Sequence, residues 1–142
     1  DLAEQMGAHA TVDATQPSIE NDIVDALGQK PTVSLEMSGQ PVVIRQALRV
    51  SANAGKVVFL GIPPQAVTVD LADEFLFKGL EAYGVTGRLI WDTWYRTEAF
   101  LQNHADLLRP LVTHTYPLER FEDAMQLVLS GDCGKVLIDV GN

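Results

Sequence analysis

Three apolar segments of the sequence each end in a short run that contains glycine. The runs are Ser38-Gly39 after residues 32–37, Gly61-Ile62-Pro63 after residues 56–60, and Thr86-Gly87 after residues 80–85. In open parallel sheets, ligands bind outside the carboxyl ends of the strands, and glycine lets a ligand approach the backbone closely. The three runs therefore predict one wall of a cofactor crevice. A plainer interpretation stays open, because tight turns also require glycine.

The side chains that carry most enzyme chemistry form no recognisable catalytic set. The three histidines are far apart in sequence, and His114 has no partner at metal-ligand spacing. The spacing of Asp70, Asp73 and Glu74 matches no calcium loop, which favours a solvated acidic turn. Cys133 has no neighbouring base or second cysteine, which favours an unreactive thiol. Phosphate-loop, zinc-protease and nucleophile-elbow motifs are also missing. We therefore predict no catalytic residue and no metal ligand in this chain.

The spacing of apolar residues predicts a regular alternation of helices and strands. Helices are predicted at residues 2–6, 17–27, 41–54, 90–102 and 118–129, and strands at 10–13, 32–37, 56–60, 80–86 and 136–140, with a short extended piece at 67–71. The run Lys56 to Leu60 is continuously apolar after its lysine, which is typical of a strand covered on both faces. This rhythm predicts an α/β fold with a parallel sheet.

The pattern changes near Gly87. Before it, strands and helices alternate; after it come a helix, a connection that contains Pro110 and Pro117, a helix and a strand. We therefore place a domain boundary there, with residues 1–87 in one domain and 88–142 in another. Within the second domain, Trp91, Trp94 and Tyr95 stand at helical spacing, which favours the core over a substrate pocket.

Composition and charge exclude several classes of function. The 142 residues include 10 Lys and Arg against 19 Asp and Glu, a net charge of −9, which disfavours binding to a phosphate backbone. No apolar run approaches the length of a membrane span, and the first residues do not form a signal peptide. Cys133 is the only cysteine, which fits a reducing compartment. We therefore expect a cytoplasmic protein.

Two features of a complete dinucleotide-binding domain are missing from the sequence. The glycine fingerprint after a first strand is absent, and so is the acidic residue that would hold the ribose after the second. The sequence begins within a predicted helix. This pattern is expected of a chain whose first strand–helix–strand unit has been removed.

Several runs, in their order and spacing, resemble L-threonine 3-dehydrogenases, a family within the zinc-dependent medium-chain dehydrogenase/reductase superfamily. The resemblance covers essentially the whole chain. Its most specific part is the run Gly87-Arg88-x-x-Trp91-Asp92-Thr93-Trp94-Tyr95. The other runs are Glu36-Met37-Ser38-Gly39, Phe59-Leu60-Gly61-Ile62-Pro63-Pro64, Phe77-Lys78-Gly79-Leu80, Gly84-Val85-Thr86, Thr113-His114 and Ser130-Gly131-Asp132-Cys133-Gly134-Lys135-Val136.

The resemblance implies a partial Rossmann-type parallel sheet without its first two strands, followed by a C-terminal helix–strand segment of the catalytic domain. It implies oxidation of the threonine hydroxyl with NAD, and a zinc ion whose ligands are absent from this chain. It further implies that eight residues border the nicotinamide side of the cofactor. These are Ser38, Gly39, Leu60, Gly61, Ile62, Val85, Thr86 and Arg88.

The resemblance also implies a homo-oligomer, in which the edge strand at residues 80–86 pairs with its copy in another subunit. The alternative is a catalytically inactive fragment that serves only as an oligomerising or structural module. An unpaired strand edge is a template for association under either interpretation. Without zinc ligands and a glycine turn for the pyrophosphate, this chain alone is expected to be inactive.

Overall fold

The structure, a computed structural model, describes residues 2–141. These residues divide into two compact units. One unit is Ala10–Arg88, and the other combines the residues up to His9 with those from Leu89 onward. The assignment of 1–87 to a cofactor domain and 88–142 to a catalytic-domain segment stays a prediction.

The helices and strands are numbered in chain order. The helices are α1 Leu2–Gln5, α2 Ile19–Leu27, α3 Pro41–Val50, α4 Asp92–Asn103, α5 Ala105–Leu108 and α6 Phe121–Ser130. The strands are β1 Val33–Glu36, β2 Lys56–Phe59, β3 Glu81–Gly84, β4 Val112–Pro117 and β5 Lys135–Asp139. A π-helical turn spans Ala72–Leu76, and 3-10 turns span Arg109–Leu111 and Leu118–Arg120.

The unit Ala10–Arg88 contains a three-stranded parallel sheet in the order β1-β2-β3. Val33 lies opposite Lys56, and Lys56 lies opposite Glu81, so the three strands start level with one another. Their carboxyl ends therefore lie at one edge of the sheet. The predicted α/β class and parallel sheet are confirmed.

The core of this unit lies between the sheet and α3. Leu48 of α3, Val57 of β2 and Leu80 form its buried cluster, and Phe59 and Phe75 pack against it. Val57 is fully buried, as expected for the middle strand of a covered sheet. Burying side chains of this size contributes about 1.5–3 kcal/mol each to stability.

Helix α3 starts at Pro41, as predicted from the sequence, but is shorter than predicted. Pro41 occupies the first turn, where a missing amide hydrogen costs nothing. The helix was predicted to reach Ala54, but it ends at Val50. Both the amide and the hydroxyl of Ser51 donate to the carbonyl of Ala47, and Ala54 has a positive φ of 56°. The backbone of Ser51 is already extended, with a ψ of 141°, so the helix stops there and the chain turns towards β2.

Two predicted extended segments are not strands. At residues 10–13, the carboxylate of Asp13 instead accepts hydrogen bonds from the amide and hydroxyl of Thr15 and from the side chain of Gln16. At residues 67–71, the Asp70 carboxylate accepts from the amides of two following residues and starts the π-helical turn. Short aspartate side chains compete in this way with strand pairing.

The second unit contains a feature that the sequence interpretation missed. The proline-bearing connection forms α5 and then β4, which pairs in parallel with β5. Helix α6 lies between these two strands in sequence and ends at Gly131, which has a φ of 78°. The expectation that Trp91, Trp94 and Tyr95 form core is wrong, because all three are exposed.

Candidate cofactor site

All eight predicted cofactor residues belong to the unit Ala10–Arg88. Ser38 and Gly39 follow β1, Leu60 to Ile62 follow β2, and Val85, Thr86 and Arg88 follow β3. Because the three strands are parallel and adjacent, these residues come from one edge of the sheet. This is the edge at which ligands bind in open parallel sheets. The roles of the individual residues stay predictions.

The loop after β1 is organised by the side chain of Glu36. Its Oε1 atom accepts hydrogen bonds from the amide of Ser38 at 2.8 Å, the Ser38 hydroxyl at 2.6 Å and the amide of Gly39 at 2.9 Å. The Ser38 hydroxyl oxygen in turn accepts from the amide of Gln40 at 3.1 Å. These bonds satisfy the amides of residues 38–40 between the end of β1 and the start of α3 from within the loop itself.

The loops after β1 and β2 are in direct backbone contact through two glycines. A Cβ built on Gly61 would lie 2.1 Å from the amide nitrogen of Gly39, and one built on Gly39 would lie 2.6 Å from the carbonyl oxygen of Ile62. Gly39 also has a φ of 69°. Both positions therefore require glycine because the loops pack so closely, and Gly39 requires it also for its turn geometry, which is the plainer interpretation of the sequence.

Apolar side chains stand exposed around these strand ends. Leu60 and Val85 are about half exposed, and Ile62 is 83% exposed. The Val85 amide donates to the carbonyl of Phe59 at 2.9 Å, which continues the β2–β3 ladder into the predicted site. Thr86 is exposed at the same end of the sheet. Apolar walls with a few polar groups are typical of cofactor sites.

Glu36 is the residue that sequence reasoning missed. It stands in the quoted run Glu36-Met37-Ser38-Gly39, but no role was predicted for it. The sequence feature that could have indicated a role was the position of an acidic residue on the face of β1 opposite to Val33 and Leu35. In the structure the polar side of the strand is the covered one, since Glu36 is 2% exposed and both apolar side chains are exposed.

A second buried carboxylate, Glu74, joins the π-helical turn to α3. It accepts hydrogen bonds from Arg45 and Arg49, each at 2.7 Å, and from the amide of Asp70 at 3.2 Å. The bond from Arg45, with help from Arg49, lowers the pKa of the Glu74 carboxyl to about 2 against the opposing effect of burial. The expectation of a solvated acidic turn is therefore wrong for Glu74, which is buried.

The remaining reactive side chains have local partners. His114 of β4 is half-buried, and its Nδ1 atom lies 2.9 Å from the Thr113 hydroxyl. The Cys133 thiol is half-buried and lies 3.6 Å from the carbonyl of Leu127. Within residues 2–141, no three His, Cys, Asp or Glu side chains come together as a metal site. Zinc therefore fits no group of side chains in the described chain.

Among the helices within residues 2–141, none is both long enough and apolar enough to cross a bilayer.

The chain belongs to the zinc-binding dehydrogenase family, whose model matches residues 1–103. Among curated relatives, it is 37% identical to the L-threonine 3-dehydrogenase of Bacillus licheniformis over 97% of this chain. It is 41% identical to those of Alteromonas mediterranea, over 98% of the chain, and of Bacillus subtilis, over 96%. The resemblance stated from the motifs is confirmed. The chain spans 40% of the length of each of these relatives.

Solved structures of dehydrogenases share the fold. An alcohol dehydrogenase zinc-binding domain protein from Burkholderia ambifaria superimposes with a TM-score of 0.82 at 22% identity, over 99% of this chain and 39% of that one. A short chain alcohol dehydrogenase from E. coli CFT073, complexed with NADH, gives a TM-score of 0.78 at 22% identity, over 96% of this chain and 40% of that one. The match to dehydrogenase structures supports the Rossmann-type assignment of the sheet.

Proposed function

We propose that this chain is part of an NAD-dependent L-threonine 3-dehydrogenase. The reaction transfers a hydride from the hydroxyl-bearing carbon of threonine to the nicotinamide and releases the hydroxyl proton. The products are 2-amino-3-oxobutanoate and NADH. The observation that carries the proposal is the convergence of three strand ends, in a chain 37–41% identical to three proteins of that name.

The chain would contribute the nicotinamide side of the cofactor site. Exposed apolar side chains of Leu60, Ile62 and Val85 would pack on the cofactor and exclude water from the ring. Ser38 and Gly39 would border the nicotinamide ribose, while Thr86 and Arg88 would offer polar groups beside the ring. These residues bind and orient the cofactor; none of them is proposed to move a proton.

In the proposed enzyme, zinc would be bound by residues of the longer protein and not by the described residues of this chain. In the proposed enzyme it would polarise the threonine hydroxyl oxygen and stabilise the developing alkoxide. The described side chains form no metal group, so we route no step of the reaction through them. It follows that the chain on its own should be inactive.

We also propose that β3 mediates self-association. β3 is the last strand of the order β1-β2-β3, and all four of its residues are exposed. An exposed strand edge carries amide and carbonyl groups that can pair with a second copy. This observation also favours the alternative function, a purely oligomerising or structural module without catalysis. A cytoplasmic location belongs to the proposal and is supported by the single cysteine.

The function is tested with the full-length protein, meaning the longer protein of which we propose this chain is part. The test is whether it reduces NAD when L-threonine is present. Absorbance at 340 nm should rise with L-threonine and NAD, and the rise should stop when a chelator removes zinc. A protein that reduces NAD with simple secondary alcohols but not with threonine would be a zinc-binding dehydrogenase of another specificity. A protein that binds no NADH at all would leave the structural module as the function.

A further inference from the structure

Glu36 contacts both of the loops that carry the predicted cofactor residues of β1 and β2. Its side-chain Oε1 atom accepts three hydrogen bonds from Ser38 and Gly39. Its backbone carbonyl accepts from the amide of Leu60 at 2.8 Å and the amide of Gly61 at 3.2 Å. Four of the five predicted residues in these two loops are therefore hydrogen-bonded to one residue.

The fifth residue, Ile62, is fixed by close backbone contact between the two loops. Ile62 touches Gly39 through its backbone, since a Cβ on Gly39 would lie 2.6 Å from the Ile62 carbonyl oxygen. A Cβ on Gly61 would lie 2.7 Å from the Oε2 atom of Glu36. Neither loop has room to shift towards the other. The two strand ends therefore pack as one group around Glu36, whose side chain bonds to the first loop and packs against Gly61 of the second.

The arrangement is costly for stability. Glu36 is 2% exposed, and its Oε2 atom is buried without a hydrogen-bond partner among the described residues. A buried polar atom without a partner loses its hydration and gains nothing in return. The three bonds to Oε1 offset part of this cost, but the Oε2 atom stays without compensation. Such uncompensated groups are commonly retained where they fix the geometry of a site.

We propose that Glu36 is a positioning residue for the cofactor site, which sets the loops after β1 and β2 in their binding geometry before the cofactor arrives. The proposal rests on the proposed function and extends it to a residue outside the predicted site. Prepared loops lose little conformational freedom on binding, so the affinity for the cofactor is higher than mobile loops would allow. Glu36 acts through its neighbours and need not touch the cofactor.

Glu36→Gln in the full-length protein tests the proposal. The amide keeps one acceptor but puts an NH2 group in place of one buried carboxylate oxygen, and it weakens the bonds to the Ser38 and Gly39 amides. The dissociation constant for NADH, followed by its fluorescence, should rise about tenfold, the equivalent of one weakened charge-assisted hydrogen bond. The kcat at saturating NAD should change much less than the KM for NAD.

Glu74→Gln is the matched control. Glu74 is also a buried glutamate of the same unit that accepts several hydrogen bonds, but it joins α3 to the π-helical turn and lies outside the predicted site. This substitution should lower thermal stability and leave the NADH dissociation constant unchanged. If Glu36→Gln likewise lowers stability without weakening NADH binding by the folded protein, Glu36 is only structural and the proposal is wrong.

Hydrogen exchange followed by mass spectrometry separates this proposal from the proposed function. In Glu36→Gln, peptides covering residues 38–39 and 60–62 should both exchange faster without any cofactor, while both stay protected in Glu74→Gln. Faster exchange at 38–39 alone would show that Glu36 does not couple the loops. If the unmodified protein binds no NADH, the proposed function fails and the exchange result decides the coupling. If Glu36→Gln does not fold, Glu36→Asp replaces it in the test, because aspartate keeps the charge but withdraws it by one methylene. It should likewise weaken NADH binding and speed exchange at residues 38–39 and 60–62.

Discussion

The amide nitrogen of Gly39 lies where a side chain at position 61 would have to go. A Cβ on Gly61 would stand 2.1 Å from that nitrogen and 2.7 Å from the Cα atom of Gly39, well inside any contact between real atoms. Two consecutive parallel strands thus end in loops whose backbones touch. Gly39 and Gly61, which indicated a ligand site in the sequence, serve this contact in the structure, and the predicted cofactor residues lie on either side of it.

Gly61→Ala should therefore disturb both loops. The added methyl group meets backbone rather than a flexible side chain, so the loops must move apart, at a cost of about 1–3 kcal/mol of stability. NADH binding should weaken as well, because Leu60 and Ile62 move with the loop. Thermal unfolding and NADH titration of the full-length protein measure both effects.

Gly84→Ala is the control for that substitution. Gly84 lies at the end of β3, and a Cβ there would meet nothing within 4 Å. Stability should change by less than about 0.5 kcal/mol, as for most surface substitutions. Equal losses of stability in the two variants would mean that the contact between Gly39 and Gly61 is not the cause.

The sheet was predictable because its signals are local. The apolar run at β2, the proline at the start of α3 and the glycines after the strands each indicate one element without reference to any other. β4 escaped prediction because Pro110 precedes it and Pro117 is its last residue, and because it forms only by pairing with β5, some twenty residues away. A parallel pair of this kind depends on contacts that no local pattern contains.

The role of Glu36 could not be predicted for a related reason. The sequence shows an acid in an apolar strand, but not which face of the strand is covered. Alternation alone would bury Val33 and Leu35 and expose Glu36, whereas the structure does the reverse. Which side of β1 faces α3 is set by the packing of the whole unit. Glu74 was misjudged likewise, because its partners Arg45 and Arg49 lie more than twenty residues away.

The pKa of Glu74 predicts how stability depends on pH. Its folded pKa, about 2, is below the ordinary value of 4.5, because Arg45 and Arg49 stabilise the carboxylate. A depressed folded pKa means that the unfolded chain takes up the proton first as the pH falls. The stabilisation is therefore complete above about pH 4.5 and is lost between there and pH 2.

Glu74→Gln should reduce this acid dependence. At pH 7 the variant should be less stable by about 1–3 kcal/mol, the range for losing hydrogen bonds to a charged group. The difference from the unmodified protein should shrink as the pH is lowered towards 2. Denaturant unfolding at several pH values measures it; a difference that stays constant from pH 7 to pH 2.5 would contradict the assigned ion pairs.

Ala82→Pro tests the association through β3. The amides of Glu81 and Val85 point towards β2, where they donate to the carbonyls of Gly55 and Phe59. Because backbone amides alternate in direction along a strand, the amide of Ala82 points away from β2, to the side of β3 that no other strand covers. Proline there removes an edge donor without breaking the β2–β3 ladder. Light scattering of the full-length protein should show a smaller assembly.

The conservative variant Ala82→Val controls for the change of side chain. Valine suits a strand and keeps the amide, so the assembly should keep its size. An assembly that survives Ala82→Pro over a broad concentration range would show that the subunits associate through another surface.

The polypeptide of residues 1–142 alone should produce no NADH from L-threonine and NAD, with or without added zinc. Its described residues form no metal group to stabilise an alkoxide, and its sequence has no glycine fingerprint to hold the pyrophosphate. The full-length protein, assayed in parallel at 340 nm, is the positive control. Threonine-dependent turnover by the short polypeptide that required zinc would mean that side chains of this chain assemble a metal site on their own. The proposal that this chain binds the cofactor while residues outside it hold the zinc would then be wrong, because the oxidation would not need those residues.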